Sequence, residues 1–155
     1  MLNSSGQLVN KWDVRFLSVA ALVSSWSKDP RTQVGACITK GKKLISVGYN
    51  GFPLQLADTP ERLVDREKKN NLVVHAENNA ILAAQGVDTQ GATLYVFGQY
   101  PCHRCAITCI LPSGIERVVV GYDINHTSEC VNKELSESIL NEAGIQVVEV
   151  YCPKP

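Results

Sequence analysis

The stretch VVHAENNAILAAQGVDTQGATLYVFGQYPCHRC, from Val73 to Cys105, carries two helix-forming segments separated by one strand-forming segment. The first helix is predicted from His75 to Ala84, and a strand is predicted over the β-branched and aromatic run from Thr93 to Phe97. The second helix is predicted from Cys102 to Leu111. Because strands that alternate with helices are typical of partly parallel sheets, this stretch predicts an α/β fold.

The rest of the chain continues this alternation on both sides. The predicted order is α-β-β-α-β-α-β-α-β, which indicates a partly parallel sheet with helices on its faces. A long polar connection from Asn50 to Asn71 separates the first hairpin from the central stretch, and long loops of this kind are often functional. The predicted elements outside the central stretch are a helix (Asn10–Ser27), two strands of a hairpin (Val34–Thr39 and Leu44–Tyr49), a short helix in the connection (Pro60–Lys69), a strand (Val118–Gly121), a helix near Glu129–Glu142 and a final strand (Ile145–Val150).

The central stretch holds three residues of the types that bind zinc and one carboxylate beside them. His75, Cys102 and Cys105 supply one imidazole and two thiols, and Glu77 lies two residues after the histidine. A structural zinc site uses four protein ligands, whereas a catalytic site leaves one position to water. Zinc lowers the pKa of that water from 15.7 to about 7, and a carboxylate can then move its protons. The count of three ligands plus Glu77 therefore indicates a hydrolytic zinc site.

Each half of this pattern is weak evidence by itself. His75 alone fits a buried core histidine, and Cys102 with Cys105 alone fit two buried thiols at helical spacing. Together, with Pro101 before the first cysteine, they match the pattern of zinc nucleobase deaminases. Both motifs also begin predicted helices, so the two could meet at one ion, where helix dipoles favour thiolate ligands.

Composition sets limits on the class of protein. The chain has 155 residues, of which 45% are hydrophobic and 19% are charged, as expected for one globular domain. Lys and Arg together number 15, and Asp and Glu also number 15, which argues against a nucleic-acid partner. We find no run of about 20 apolar residues, so no membrane partner is expected. Six cysteines in a chain of this size favour a reducing, cytoplasmic location over a disulfide framework.

Several longer segments resemble the deoxycytidylate (dCMP) deaminase family of the cytidine deaminase-like superfamily. The metal motifs indicate only the superfamily, and the Gly-Tyr-Asn-Gly segment, Gly48–Gly51, narrows the resemblance to the dCMP branch. The resemblance covers about Lys11 to Val150. The segments that carry it are Ser27–Ala36, Gly48–Pro53, Val74–Ile81, Leu94–Val96, Pro101–Ala106 and Gly114–Val120.

The resemblance implies a fold, a cofactor and a reaction. The fold is the three-layer α-β-α cytidine deaminase-like fold, with a mixed five-stranded sheet and helices on both faces, formed by residues 1–155 as a single zinc-dependent deaminase domain. His75, Cys102 and Cys105 bind one Zn²⁺ per chain. Hydroxide attacks C4 of cytosine in dCMP while Glu77 shuttles protons to N3 and then to the amino group. The products are dUMP, which supplies thymidylate synthesis, and ammonia.

The resemblance also implies substrate contacts and partners. The backbone N–H of Ala76 recognises the pyrimidine O2, Asn50 reaches the sugar, and Ser27 helps to line the nucleotide site. Asn50 has an alternative interpretation, because Asn-Gly is a common turn pair. The family forms symmetric homo-oligomers, often hexamers, and is often regulated by dCTP and dTTP. Some members hold a second zinc before the catalytic histidine, but Asn50 to Val74 contains no Cys or His, so one zinc is expected.

Alternative functions remain open at this point. Within the superfamily, the substrate could be CMP, cytidine, 5-substituted dCMP or a base in nucleic acid. A structural zinc module is a third alternative, although it has no use for Glu77. We expect Cys109 to be a core thiol, and His103, His126, Lys68 and Lys69 to be solvated surface residues. The candidate phosphate contacts are Lys28, Arg31 and Arg62.

Overall fold

The computed structural model describes residues 2–126 and 130–152. Within these ranges, five strands and six α-helices are found, and every strand lies within two residues of its predicted bounds. The elements in chain order are α1 (Lys11–Ser24), β1 (Gly35–Lys40), β2 (Lys43–Tyr49), α2 (Pro60–Val64), α3 (Arg66–Leu72), α4 (Ala76–Ala83), β3 (Thr93–Phe97), α5 (His103–Cys105), β4 (Arg117–Tyr122), α6 (Lys133–Glu142) and β5 (Gln146–Tyr151).

The five strands form one mixed sheet in the order β2-β1-β3-β4-β5. The hairpin β1–β2 is antiparallel, and β1 also pairs antiparallel with β3. The pairs β3–β4 and β4–β5 are parallel, because each is joined by a connection that contains a helix. The prediction of a mixed five-stranded sheet is confirmed.

Helices cover both faces of the sheet, as predicted. On one face, α1 packs through Phe16, Leu17 and Ala20, which form one buried cluster with Tyr95 and Val119 of the central strands. On the other face, α4, α6 and the segment that starts at α5 enclose a larger core. The central residues of that core are Ile38, Ala80, Leu94, Val96, Ile110, Val118, Val120 and Leu140, all fully buried. The arrangement is three-layered, and the motifs that contain the predicted zinc ligands lie on the second face.

Asp13 joins α1 to the sheet. Its carboxylate accepts from the backbone N–H of Asn10, whose own side chain caps the helix, and from the hydroxyl of Tyr95 at 2.9 Å. The guanidinium of Arg117 donates two hydrogen bonds to it, at 2.6 and 3.0 Å. Burial opposes ionisation of Asp13, but these donors hold its pKa below the ordinary value of 3.8. The ion pair therefore contributes stability only while Asp13 is charged.

Three helical segments differ from their predictions. The single helix predicted over Pro60–Lys69 is two short helices, α2 and α3, because Asp65 ends the first and caps the second. Helix α6 starts at Lys133 after Asn132, which has a positive φ of 63°, and the predicted start at Glu129 lies outside the described residues. After α5 the chain continues as a π-helical turn over Ala106–Ile110 and a 3₁₀ turn over Leu111–Ser113. In the described part of the chain, no helix combines the length and apolar character needed to cross a bilayer.

Candidate active site

The side chains of His75, Cys102 and Cys105 lie together where two helices begin. His75 precedes the first residue of α4, and Cys102 precedes the first residue of α5. The imidazole Nδ1 of His75 lies 3.3 Å from the Sγ of Cys105 and 3.5 Å from the Sγ of Cys102. The three ligand atoms are all within 4.8 Å of one another. One nitrogen and two sulfurs at this separation fit a zinc ion and leave a tetrahedral position for water.

The pKa values of the two thiols, Cys102 and Cys105, are shifted in opposite directions. Hydrogen bonds from Cys105 and His75 lower the pKa of the Cys102 thiol to about 3, against the opposing effect of burial. Its hydrogen bond to Cys102 and its burial raise the pKa of the Cys105 thiol. The backbone N–H of Cys105 also donates to the Cys102 Sγ at 3.3 Å, as expected at a helix N-terminus. Cys102 is therefore poised as a thiolate, the form that binds metals.

Glu77 lies beside the three donors and is 3% exposed. Its Oε2 accepts from the Sγ of Cys105 at 3.8 Å. Burial raises the pKa of the Glu77 carboxyl above its ordinary range. A buried carboxyl that can exist in both protonation states is suited to general acid–base chemistry, and it is not needed in a purely structural site.

The π-helical turn accounts for the position of Cys109. Its thiol is buried and donates to the carbonyl oxygen of Cys105 at 3.1 Å. The expectation that Cys109 is a core thiol is confirmed. Turns of this type are common at functional sites, and this one begins directly after Cys105.

His75, Cys102 and Glu77 line a cavity of about 430 Å³, and Cys105 lies buried beside it. This volume lies in the range of sites for small ligands, about 300–1,000 Å³. Two exposed cations, Arg31 and Arg66, lie on its rim, and neither has an ion-pair partner in the described part of the chain. Other lining residues are Asp29, Asn50, Lys69, Ala76, Tyr100, Cys130 and Val131.

Lys69 is buried, and the expectation that it belongs to a solvated surface is wrong. Its Nζ lies 2.9 Å from Oδ2 and 3.0 Å from Oδ1 of Asp29. Both side chains are 7% exposed. Burial opposes ionisation of Asp29, but hydrogen bonds from the N–H of Thr32, from Lys69 and from the N–H of Arg31 hold its pKa below the ordinary value. Lys68, the neighbouring lysine, is exposed as expected and pairs with Asp65.

The three residues expected to contact the substrate occupy different positions. Ala76 lies on the cavity wall as the first residue of α4, where backbone N–H groups have no helical acceptor. Asn50 also lines the cavity, but its Oδ1 accepts from the N–H of Val34 at 2.9 Å and its Nδ2 donates to the oxygen of Thr32 at 2.9 Å. Ser27 does not line the cavity, and its hydroxyl donates to the backbone oxygen of Asn50 at 2.8 Å.

Four other residues considered from the sequence lie outside the centre of the site. Lys28 pairs with Asp58 at 2.7 Å, and Arg62 donates to the oxygen of Ala57, so both are already occupied by partners. His126 is half-buried and its ring lies 4.8 Å from that of Tyr122. The expectation that His103 is solvated is wrong for one atom, since its Nδ1 is buried with no hydrogen-bond partner in the described structure.

The sequence interpretation missed Asp29, Arg66 and the wall residues Tyr100, Cys130 and Val131. The sequence places Asp29 in the Ser27–Ala36 segment without assigning it a role, and it carries no motif signal for Arg66. Neither could be placed from local spacing, because Asp29 and Lys69 are 40 positions apart in the chain. The long polar connection from Asn50 to Asn71 is the sequence signal for Arg66 and Lys69, since long loops inside a compact domain are often functional.

Comparisons with known proteins agree with this geometry. Residues 10–122 match the family model described as the cytidine and deoxycytidylate deaminase zinc-binding region. An uncharacterized deaminase from the luxG 3′ region of Aliivibrio fischeri is 39% identical over 145 residues, covering 90% of this chain and 94% of that protein. Human deoxycytidylate deaminase is 36% identical over 152 residues, covering 93% of this chain and 82% of that protein.

A solved structure supports the fold independently. The dCMP deaminase of cyanophage S-TIM5, in complex with dCMP and dUMP, superposes with a TM-score of 0.73 at 20% identity, over 93% of this chain and all of that chain. The family match spans most of the chain, contains the three donors and Glu77, and is joined by relatives above 30% identity. This chain therefore belongs to the cytidine and deoxycytidylate deaminase family.

Proposed function

We propose that this protein is a zinc-dependent deaminase that hydrolyses dCMP to dUMP and ammonia, with residues 1–155 acting as one deaminase domain. The observation that carries the proposal is the buried carboxyl of Glu77 beside a cluster of one imidazole and two thiols. Relatives named deoxycytidylate deaminase, at 36% to 39% identity, support dCMP as the substrate. A structural zinc site does not need a carboxyl at this position, whereas a hydrolytic site needs one to move protons.

His75, Cys102 and Cys105 are proposed to hold one zinc ion per chain. The donor types and their mutual distances fit this metal, and the low pKa of Cys102 favours the thiolate form. Zinc, when bound, supplies a Lewis acid that lowers the pKa of a water molecule to about 7, so that hydroxide is available near neutral pH.

Glu77 is proposed to carry the protons of the reaction. It takes a proton from the attacking water and gives it to N3 of cytosine, and it then takes the remaining proton from the new C4 hydroxyl and delivers it to the exocyclic amino group. The C4–O bond forms and the C4–N bond breaks, so that ammonia leaves and the base becomes uracil. The raised pKa of the buried carboxyl supports this role, because both its protonated and ionised forms are used in one cycle.

The cavity supports a nucleotide with a single phosphate. Ala76 offers a backbone N–H to the pyrimidine O2 from the first turn of α4. Asn50 is proposed to reach the sugar from the cavity wall, and Ser27 to support Asn50 from behind through its hydrogen bond. Arg31 and Arg66 are proposed to bind the phosphate, since guanidinium groups bind phosphate oxygens strongly.

Assembly, regulation and location are further parts of the proposal. Family membership supports a closed homo-oligomer, a hexamer or smaller, and exposed apolar side chains such as Leu82, Ile107 and Leu111 are available for subunit contacts. Family membership likewise supports dCTP and dTTP as effectors. The six cysteines are all free thiols, which supports a reducing cytoplasmic location.

The test is ammonia release from dCMP, CMP, deoxycytidine and a short cytosine-containing DNA strand, with zinc quantified in the same protein sample. We expect turnover of dCMP well above the other substrates, with about one zinc per chain. Turnover of the DNA strand in preference to dCMP, or zinc without any turnover, contradicts the proposal.

A further inference from the structure

We propose that the buried ion pair between Lys69 and Asp29 is a positioning device that holds Arg31 and Arg66 at the cavity rim, where they bind the substrate phosphate. The inference rests on the proposed function, because it assigns a role within the recognition of a nucleotide. Lys69 itself touches Asp29 and is a positioning residue rather than a substrate ligand.

Helix α3 is attached to the protein through a polar rather than an apolar side chain. Lys69 is the only residue of this seven-residue helix that is buried, so the helix has no apolar face to pack on the sheet. Lys68 gives the contrast, since its side chain is 61% exposed while that of Lys69 is 7% exposed. An amphipathic helix is normally fixed by apolar contacts. The buried side-chain anchor of α3 is instead the ammonium group of Lys69, and the chain just after the helix is held by the backbone pairing of Val74 with Gly51.

The carboxylate of Asp29 collects donors from separate segments. Its Oδ1 accepts from the backbone N–H of Arg31 at 2.8 Å and of Thr32 at 3.0 Å. Its Oδ2 lies 3.5 Å from Nδ2 of Asn50, which follows β2. Lys69 adds α3 to this set. One carboxylate thus fixes the loop that carries Arg31, the end of β2 and the helix that carries Arg66.

Energetic considerations favour positioning over stability as the role of the pair. A buried ion pair must recover the large cost of removing two charges from water, so apolar residues of similar size often stabilise a protein as well or better. The pair does, however, require one geometry, because two oxygens and one ammonium meet at 2.9 and 3.0 Å. The fixed geometry of this pair holds Arg31 and Arg66, which have no ion-pair partner in the described part of the chain, in place to bind a phosphate.

The consequence for catalysis is specific to the phosphate. Without Lys69, α3 loses its buried side-chain anchor, and Arg66 no longer faces the cavity together with Arg31. A misplacement of about 1 Å can lower a rate by about 100-fold. We therefore expect kcat/KM for dCMP to fall by about 100-fold in Lys69→Met, while kcat/KM for deoxycytidine, which has no phosphate, changes little.

The experiment compares Lys69→Met with Lys68→Met, a matched change at the next position of the same helix. Both are assayed for kcat/KM with dCMP and with deoxycytidine, for zinc content, and for hydrogen exchange of the backbone amides in α3 and in residues 29–32 without nucleotide. We expect Lys69→Met to show full zinc content, faster exchange in both segments and loss of the preference for dCMP. Lys68→Met should match the wild type, and Lys69→Arg should recover part of the preference.

A second set of variants keeps the inference testable if Lys69→Met does not fold. The double variant Asp29→Asn, Lys69→Met removes both charges, so no lone charge is left buried. It should fold and show the same loss of preference for dCMP. In an Arg31→Met, Arg66→Met background, adding Lys69→Met should cause no further loss, because positioning residues act through the groups they hold.

The outcomes separate this inference from the proposed function. If the wild type does not deaminate dCMP, the proposed function fails, and the hydrogen-exchange comparison still tests whether the pair fixes the two segments. If Lys69→Met lowers activity on dCMP without changing exchange in α3 and residues 29–32, Lys69 binds phosphate directly and the positioning role is overturned. Equal losses for dCMP and deoxycytidine also overturn it.

Discussion

Gly48→Ala tests how closely the catalytic helix must sit on the sheet. Gly48 lies in β2 beneath the first turn of α4, which carries Glu77 and follows His75. A Cβ added at Gly48 meets the carbonyl oxygen of Ala76 at 2.6 Å and lies closer still to the backbone nitrogen of Ala80. Both are backbone atoms of α4, so no side-chain rotation can relieve the contact. The helix itself must move.

The size of the effect follows from this distance. An ordinary Cβ contact begins at 3.4 Å, so the Ala76 contact at 2.6 Å alone requires the helix to retreat by 0.8 Å, and the closer Ala80 contact requires more. Overpacking of this kind costs about 1–3 kcal/mol, which lowers Tm by about 2–12 °C in a chain of this length. Because α4 positions His75 and Glu77, a displacement near 1 Å should also lower kcat/KM by about 100-fold.

The assay measures Tm, zinc content and kcat/KM for dCMP in Gly48→Ala and in the control variant Gly121→Ala. A Cβ at Gly121 meets the side-chain end of Leu17 at 2.8 Å, on the opposite face of the sheet, where rotation can relieve the contact. We expect the control to lose some stability and to retain zinc and activity. If Gly48→Ala retains both zinc and full kcat/KM, the reasoning about α4 is refuted.

Three further predictions concern the site and the α1 contact. Glu77→Gln should keep its zinc and its fold, but its kcat should fall by about 10²–10⁴-fold. Normal turnover would show that another group carries the protons. Cys102→Ser should lower zinc content, measured by metal analysis, and a variant that remains fully loaded and active would show that the ligand set is wrong. Arg117→Met should lower the free energy of unfolding at pH 7 by about 3–5 kcal/mol, because it leaves Asp13 buried and unpaired. The pKa of Asp13 is lowered in the folded protein, so this ion pair contributes above its ordinary value of 3.8 and is lost as pH falls through the lower folded value. The difference between Arg117→Met and the wild type, measured by urea unfolding, should therefore shrink with acidification, and a constant difference from pH 7 to below pH 4 would contradict it.

The sequence predicted the order of the elements because each has a local pattern. Thr93–Phe97 is a strand with the predicted bounds, and the hairpin around Gly41 forms where the turn residues indicated it. Helix ends were less accurate. The segment after Cys105 was predicted as one regular helix, but it contains a π-helical turn, since its hydrogen bonding depends on packing against α4 and α6. Local propensity does not distinguish a π turn from an α turn.

The sequence by itself determined which chemistry the site can hold. His75 and Glu77, two positions apart, and Cys102 and Cys105, three apart, lie at helix starts, and this local spacing is a property of the chain. The tertiary structure alone decided which polar groups surround that chemistry. It buried Lys69 against Asp29, engaged the amide of Asn50 with Val34 and Thr32, and brought Arg31 and Arg66 to one rim. The physical reason is that burial of a polar side chain depends on partners from distant segments, and no local pattern records which partners will meet.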